Sequence, residues 1–152
     1  MRYITDIEDV MNRIKDIFVA NIPTMITACN ADKGDSIVPA FLSETFYMWR
    51  LLEAPPYAVS YLLDIATDPE IINGGVGEVV EIYTLRITSI INDDFTTNIP
   101  LIKHRLNKIF KEILYEKVSR EYSTLKVLKE DSTLMPDEFP FELSSIVFRI
   151  TL

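Results

Sequence analysis

An α+β fold is what this sequence predicts, with an antiparallel sheet of about four strands and two main helices packed on it. Apolar residues recur at helical spacing near the start of the chain and again over Leu101–Val118. They alternate with polar ones over Glu78–Ile91 and Leu143–Leu152, which is the period of a strand. Strands that follow one another, with helices outside them, argue against a parallel sheet built from βαβ units. The chain has 152 residues, 48% apolar and 25% charged. It reads as one domain over 1–152, large enough to bury roughly 68–70% of the surface its unfolded form exposes.

The elements follow in order. Thr5-Asp6-Ile7-Glu8 has capping-box spacing, in which Thr5 caps an orphan N–H and Glu8 reaches back. Behind it Ile7, Val10, Met11, Ile14, Ile17 and Phe18 form one apolar stripe. Pro23 is expected to kink or end this helix, with a short second helix from Met25 to Cys29. Asn30–Asp35 then reads as a loop with a stop at Gly34. Residues 36–56 read as irregular, interrupted by Pro39, Pro55 and Pro56 and rich in aromatics: Phe41, Phe46, Tyr47 and Trp49. Such a segment is either a loop or edge strand across the core or an arm reserved for another subunit.

Tyr57–Ala66 has strand character, and Asp68-Pro69 and Asn73-Gly74-Gly75-Val76-Gly77 mark a turn region. With Glu78–Ile91 this makes a long antiparallel hairpin. Tyr83, Leu85 and Ile87 are expected inside it, and Thr84, Arg86 and Thr88 outside. Asn92-Asp93-Asp94 closes the strand. Thr97 or Asn98 caps the next helix, where Pro100 is tolerated in the first turn. A short strand at Leu125, Val127 and Leu128 and a polar loop over 129–142 precede the closing strand.

Composition narrows function. There are 15 basic and 23 acidic residues, a net charge of −8, so sequence-independent binding to nucleic acid or anionic lipid is not expected of the body as a whole. One cysteine, Cys29, and one histidine, His104, leave little material for a disulfide, a cysteine-rich metal site or a histidine-based triad. Asn73–Gly77 is followed by a strand and has no Lys-Ser/Thr, so a hairpin tip fits it better than a phosphate cradle. The acids at Asp64, Asp68, Asp93, Asp94, Glu130, Asp131, Asp137 and Glu138 read as solvated turn residues. A two-carboxylate hydrolase or ligand-binding site is the competing reading. No catalytic residue, cofactor or metal is expected. With no apolar run long enough to span a bilayer and no signal-peptide core, the expected setting is a cytoplasm or something assembled there.

One electrostatic feature stands out. Between Pro100 and Arg120 lie six bases and two acids, net +4, whereas the remainder has nine bases and 21 acids, net −12. A solvated helix face accounts for this, as does a contact between identical neighbours. On the second reading the candidate interface residues are Lys103, Arg105, Lys108 and Lys111 on the helix, Thr84, Arg86 and Thr88 on the outward strand row, and Phe41, Phe46 and Trp49 in the aromatic segment.

The order of these features resembles the tail-terminator (tail-completion) proteins of tailed bacteriophages. The matching pieces are the amphipathic helix through Phe18, the Pro23 break, the segment around Pro55-Pro56-Tyr57, strand Glu78–Ile91, helix Leu101–Leu114 and closing strand Ile146–Leu152. The resemblance implies a small structural α+β subunit that forms a ring, usually a hexamer, at the head-proximal end of the tail tube. There it stops polymerisation and joins the tail to the head. Its implied partners are copies of itself, the tail tube, the sheath and the head connector, with DNA only in transit through a lumen and no membrane. The implied location is the virion tail or neck. Other neck and head-completion proteins share the size and patterning.

Overall fold

The computed structural model describes residues 6–51, 55–75, 78–134 and 141–152. Its first element is helix α1 (Ile7–Lys33), started by Asp6, whose carboxylate accepts the Glu8 N–H at 3.0 Å. The expected partner in a capping box, Thr5, lies outside the described residues. Val10, Met11, Ile14, Ile17, Phe18, Ile22 and Ile26 are buried along one face. The helix continues through Pro23 rather than ending there, and the short second helix expected from Met25 to Cys29 is part of it. Proline there withholds an N–H from the Val19 carbonyl and costs about 3 kcal/mol. Ile22 and Ile26, buried on either side, each contribute roughly 1.5–3 kcal/mol by leaving water. That outweighs the penalty.

Gly34, at φ 69°, ends α1. Its N–H donates to the Ala31 carbonyl and the Asp35 N–H to that of Asn30, a Schellman closure.

A single 3₁₀ turn (Ser43–Thr45) leads into strand β1 (Phe46–Met48). Then come β2 (Val59–Gly75), β3 (Glu78–Asn92), helix α2 (Ile99–Ile113), β4 (Lys126–Leu134) and β5 (Phe141–Thr151). After Ile113 the helix widens into a π turn over Leu114–Val118, which buries both Leu114 and Val118. The sheet has five strands in the order β1-β2-β3-β5-β4. It is mixed rather than purely antiparallel, because β1 runs parallel to β2 while the other neighbours are antiparallel. Three residues within a proline-rich stretch carry too little alternation to announce a strand. They pair because Phe46 is pulled into the core.

Two other boundaries differ from expectation. β2 passes Pro69, with register shifts between Ile65 and Thr67 and between Thr67 and Glu70 that absorb it. β4 takes in much of the expected polar loop, since its backbone pairs along β5 from Lys126 to Leu134. As an edge strand it carries Lys129, Glu130 and Asp131, charges that discourage further pairing.

Both helices lie on one face of the sheet. The inward rows there are Val59, Tyr61 and Leu63 on β2, Tyr83, Leu85, Ile87 and Ile91 on β3, and Ile146, Phe148 and Ile150 on β5, all buried. Replacing Pro23 with Ala should raise the unfolding free energy by about 2 kcal/mol, the helix-interior penalty less the unfolded-state advantage of proline. Urea denaturation measures this.

Candidate subunit interface

The α2 helix is held by pairs that use up much of its charge. Arg105 is buried, and its guanidinium donates to both Asp35 oxygens at 2.6 and 2.8 Å. Asp35 also accepts the Ile37 N–H at 3.2 Å, and these donors hold its carboxyl at about 2, below the usual 3.8. Asn30 bonds both the carbonyl and the N–H of Val38, so the turn after α1 is fixed as the seat of this pair. Lys103 reaches Glu142 at 2.6 Å and Lys111 reaches Glu130 at 2.5 Å, fastening α2 to β5 and β4. Lys108 is exposed and makes no ion pair among the described residues.

The strand row expected to face outward is not a free surface. Thr88 is buried, its hydroxyl 2.8 Å from that of Ser145. Arg86 makes a two-point pair with Asp64, directly opposite on β2, at 3.0 and 2.5 Å. Thr84 is half-buried beside Arg149 of β5. These residues hold the helix-free face of the sheet together.

The aromatic segment divides. Phe46 is buried and stacks on Tyr61, centroids 6.2 Å apart, and half-buried Phe41 lies 5.3 Å from the same ring. Both serve their own core, as the edge-strand reading expected. Trp49 stands 43% exposed at φ 71°, tied down by its N–H to the Leu63 carbonyl at 2.9 Å. Of the ten candidate residues, Lys108 and Trp49 are left as exposed surface with no ion pair or ring contact among the described residues.

Beside Lys108 a groove of about 590 Å³ runs between the C-terminal turns of α1 and the length of α2 from Leu101 to Glu112. Met25, Cys29, Leu101 and Ile109 give it apolar walls, and Lys33, His104 and Lys108 stand at its rim. Small Ala28 and Cys29 leave the space. Asp32 and Glu112 border it as well.

At the far ends of β2 and β3 the sheet narrows. β1 ends opposite Leu63 and β5 ends opposite Ile82, with Leu152 bonding Glu81 just beyond. Among the described residues, Ile71–Gly75 and Glu78–Val80 therefore continue as two strands alone. Ile71 is 72% exposed, Val79 63% and Ile72 47%. The turn region expected at Asp68-Pro69 and Asn73–Gly77 is instead paired strand as far as Gly75. The signal for this extension was the matched pair Ile71-Ile72 and Val79-Val80 flanking the glycines. Val76 and Gly77, the end of the expected hairpin tip, lie outside the described residues.

Of the acidic clusters, Asp64 and Glu130 are paired with Arg86 and Lys111, while Asp93 and Asp94 are exposed in the turn after β3. Asp137 and Glu138 lie outside the described residues. Among the described residues no three His, Cys, Asp or Glu side chains are grouped to hold a metal ion, and no helix is long and apolar enough to cross a membrane.

No protein-family model and no curated protein matches the chain.

Removing the Asp35 charge isolates the clamp. A carboxyl held below its unfolded value contributes stability that is complete above about pH 4 and is lost as pH falls toward about 2. Asp35→Asn should therefore be less stable than the wild type at pH 7, with the gap closing between pH 4 and pH 2. Thermal melts across that range measure it.

Proposed function

We propose that this chain is a ring-forming structural subunit of the bacteriophage tail-terminator type, which closes the head-proximal end of a tail tube and presents a surface to the head connector. The observation that supports it best is the separation of two surfaces suited to association. The helix layer carries an apolar-walled groove along α1 and α2, bordered by Lys33 and Lys108 and by Asp32 and Glu112. The far ends of β2 and β3 carry exposed Ile71, Ile72 and Val79. Surfaces of different character on one subunit favour head-to-tail contacts, which close into rings when the rotation per subunit permits. The order of elements that resembles the tail-terminator proteins adds to this.

The pairing inside the subunit agrees with a structural role. The Asp35–Arg105 and Asp64–Arg86 pairs use their carboxylates to fix a turn to a helix and one strand to another. Neighbouring subunits then meet surfaces of fixed shape. An acidic exterior lining a lumen would let DNA pass without adhering.

Electron microscopy of the purified protein with tail tubes tests the function. Rings capping one end of each tube are expected, and Lys108→Glu should lower cap occupancy about tenfold at matched concentration by placing an acid where a base is wanted. Binding to the connector with none to tube ends would favour another neck protein instead. Binding to neither would overturn the proposal.

A further inference from the structure

We infer that the helix-free face of the sheet carries a binding site for the phosphodiester backbone of duplex DNA. Lys126 and Arg149 form its centre, and Arg86 and Lys129 flank them. Register brings the four together. Arg149 of β5 stands directly opposite Lys126 of β4 and, on its other side, Thr84 of β3. The next β5 residue on this face, Val147, stands between Arg86 and Lys129. In a regular strand residues 126 and 129 would point to opposite faces. The register shift between Val127 and Lys129 takes up Leu128 as an extra residue and turns both lysines to the same face. Bulges re-aim side chains in this way.

Two of these charges are left uncompensated. Arg86 is held by Asp64, and Lys129 by Asp131 at 3.1 Å. Lys126 and Arg149 make no ion pair among the described residues. Like charges directly opposite on neighbouring strands are destabilising, so the isolated subunit loses stability at this pair. A local rule broken with no compensation inside the fold marks a functional surface. Glu70, opposite Ile82 on β2, lies on the same face but two strands away from Arg149. The chain as a whole is net −8, which confines a bound polyanion to this patch.

The chemistry of the patch selects its partner. A protein partner would need apolar anchors at the centre of the site and charges at its rim. Here the order is reversed: the charges are central, Val147 is buried, and exposed Leu128 sits on the edge strand. Thr84 and Thr151 stand half-buried on either side of Arg149 on this face. Hydroxyls beside arginine and lysine are common donors to phosphate oxygens. The register neighbours of the four bases on this face of β3, β4 and β5 include no aromatic residue. Single strands depend on stacking against such rings, so the backbone of a duplex is the better match. The site is complete in one subunit and does not depend on ring closure. In a ring it would hold DNA at one place on a surface that elsewhere repels it.

Fluorescence anisotropy with a short mixed-sequence DNA duplex tests it. Affinity should fall about tenfold between about 50 and 200 mM salt, the slope of about two neutralised phosphates. Lys126→Gln with Arg149→Gln should remove that dependence, whereas Lys117→Gln, at an exposed base of the π turn, should leave it unchanged. Lys126→Glu separates binding from folding. An acid opposite Arg149 should raise the melting temperature by about 2 °C while weakening duplex binding about tenfold or more. Equal binding by the wild type and Lys126→Glu would overturn the site. So would tighter binding of the single strand than of the duplex. Displacement of the duplex by poly-glutamate or by phosphatidylserine vesicles at lower matched charge would also overturn it, in favour of an acidic protein or a membrane.

Discussion

Four aromatic rings join the layers of this molecule. Phe18 of α1 meets Phe110 of α2 edge-on at 5.8 Å, Tyr61 of β2 meets the same Phe110 at 5.9 Å, and Phe46 of β1 stacks on Tyr61. Each contact adds about 0.5–1.5 kcal/mol to what area burial supplies. Burial also pushes the Tyr61 phenol well above its usual value, so the ring stays neutral in the core. Because Phe46 has to reach this cluster, β1 is drawn onto β2 in parallel. Because Phe18 and Phe110 both face it, α1 and α2 share one side of the sheet.

Putting both helices on one side leaves the other face to secure itself. It does so with the Asp64–Arg86 pair, the Thr88–Ser145 hydroxyls, and buried Val147 opposite Arg86 on β5. The aromatic cluster is central to the sheet, so it does nothing for the far ends of β2 and β3. Those strands outrun their neighbours there and carry apolar residues into water. At the near end, the Asp35–Arg105 clamp fixes the last turn of α1 against the first turns of α2 and so shapes the groove between them. A core that organises the centre thus leaves two unlike surfaces, and the proposed assembly depends on that difference.

Much of the fold was legible in the sequence. The apolar stripe through Phe18, the alternation over Glu78–Ile91 and Leu143–Leu152, and the stripe Ile102–Leu106–Ile109–Phe110–Ile113 each place buried residues where periodicity says they belong. Pro23 misled because local propensity yielded to the burial of Ile22 and Ile26. β1 and the outer half of β2 were hidden by prolines, whose cost is met by tertiary pairing and by register shifts that no local pattern encodes. Of the candidate contact residues, charge counting selected α2 but could not tell Arg105, sunk in a clamp with Asp35, from Lys108, left in water. That distinction needs the turn after Gly34, which brings residue 35 to residue 105. The exposed Ile71 and Val79 went unread for a related reason: whether an apolar residue is covered depends on where neighbouring strands stop.

Native mass spectrometry of the purified chain, across a wide concentration range, tests the central claim of head-to-tail closure most directly. The account predicts one closed species at a fixed multiple of 17.5 kDa, six for a hexameric ring, with its mass unchanged by concentration. A 17.5 kDa monomer at every concentration, or an open ladder of masses that lengthens as concentration rises, would contradict it.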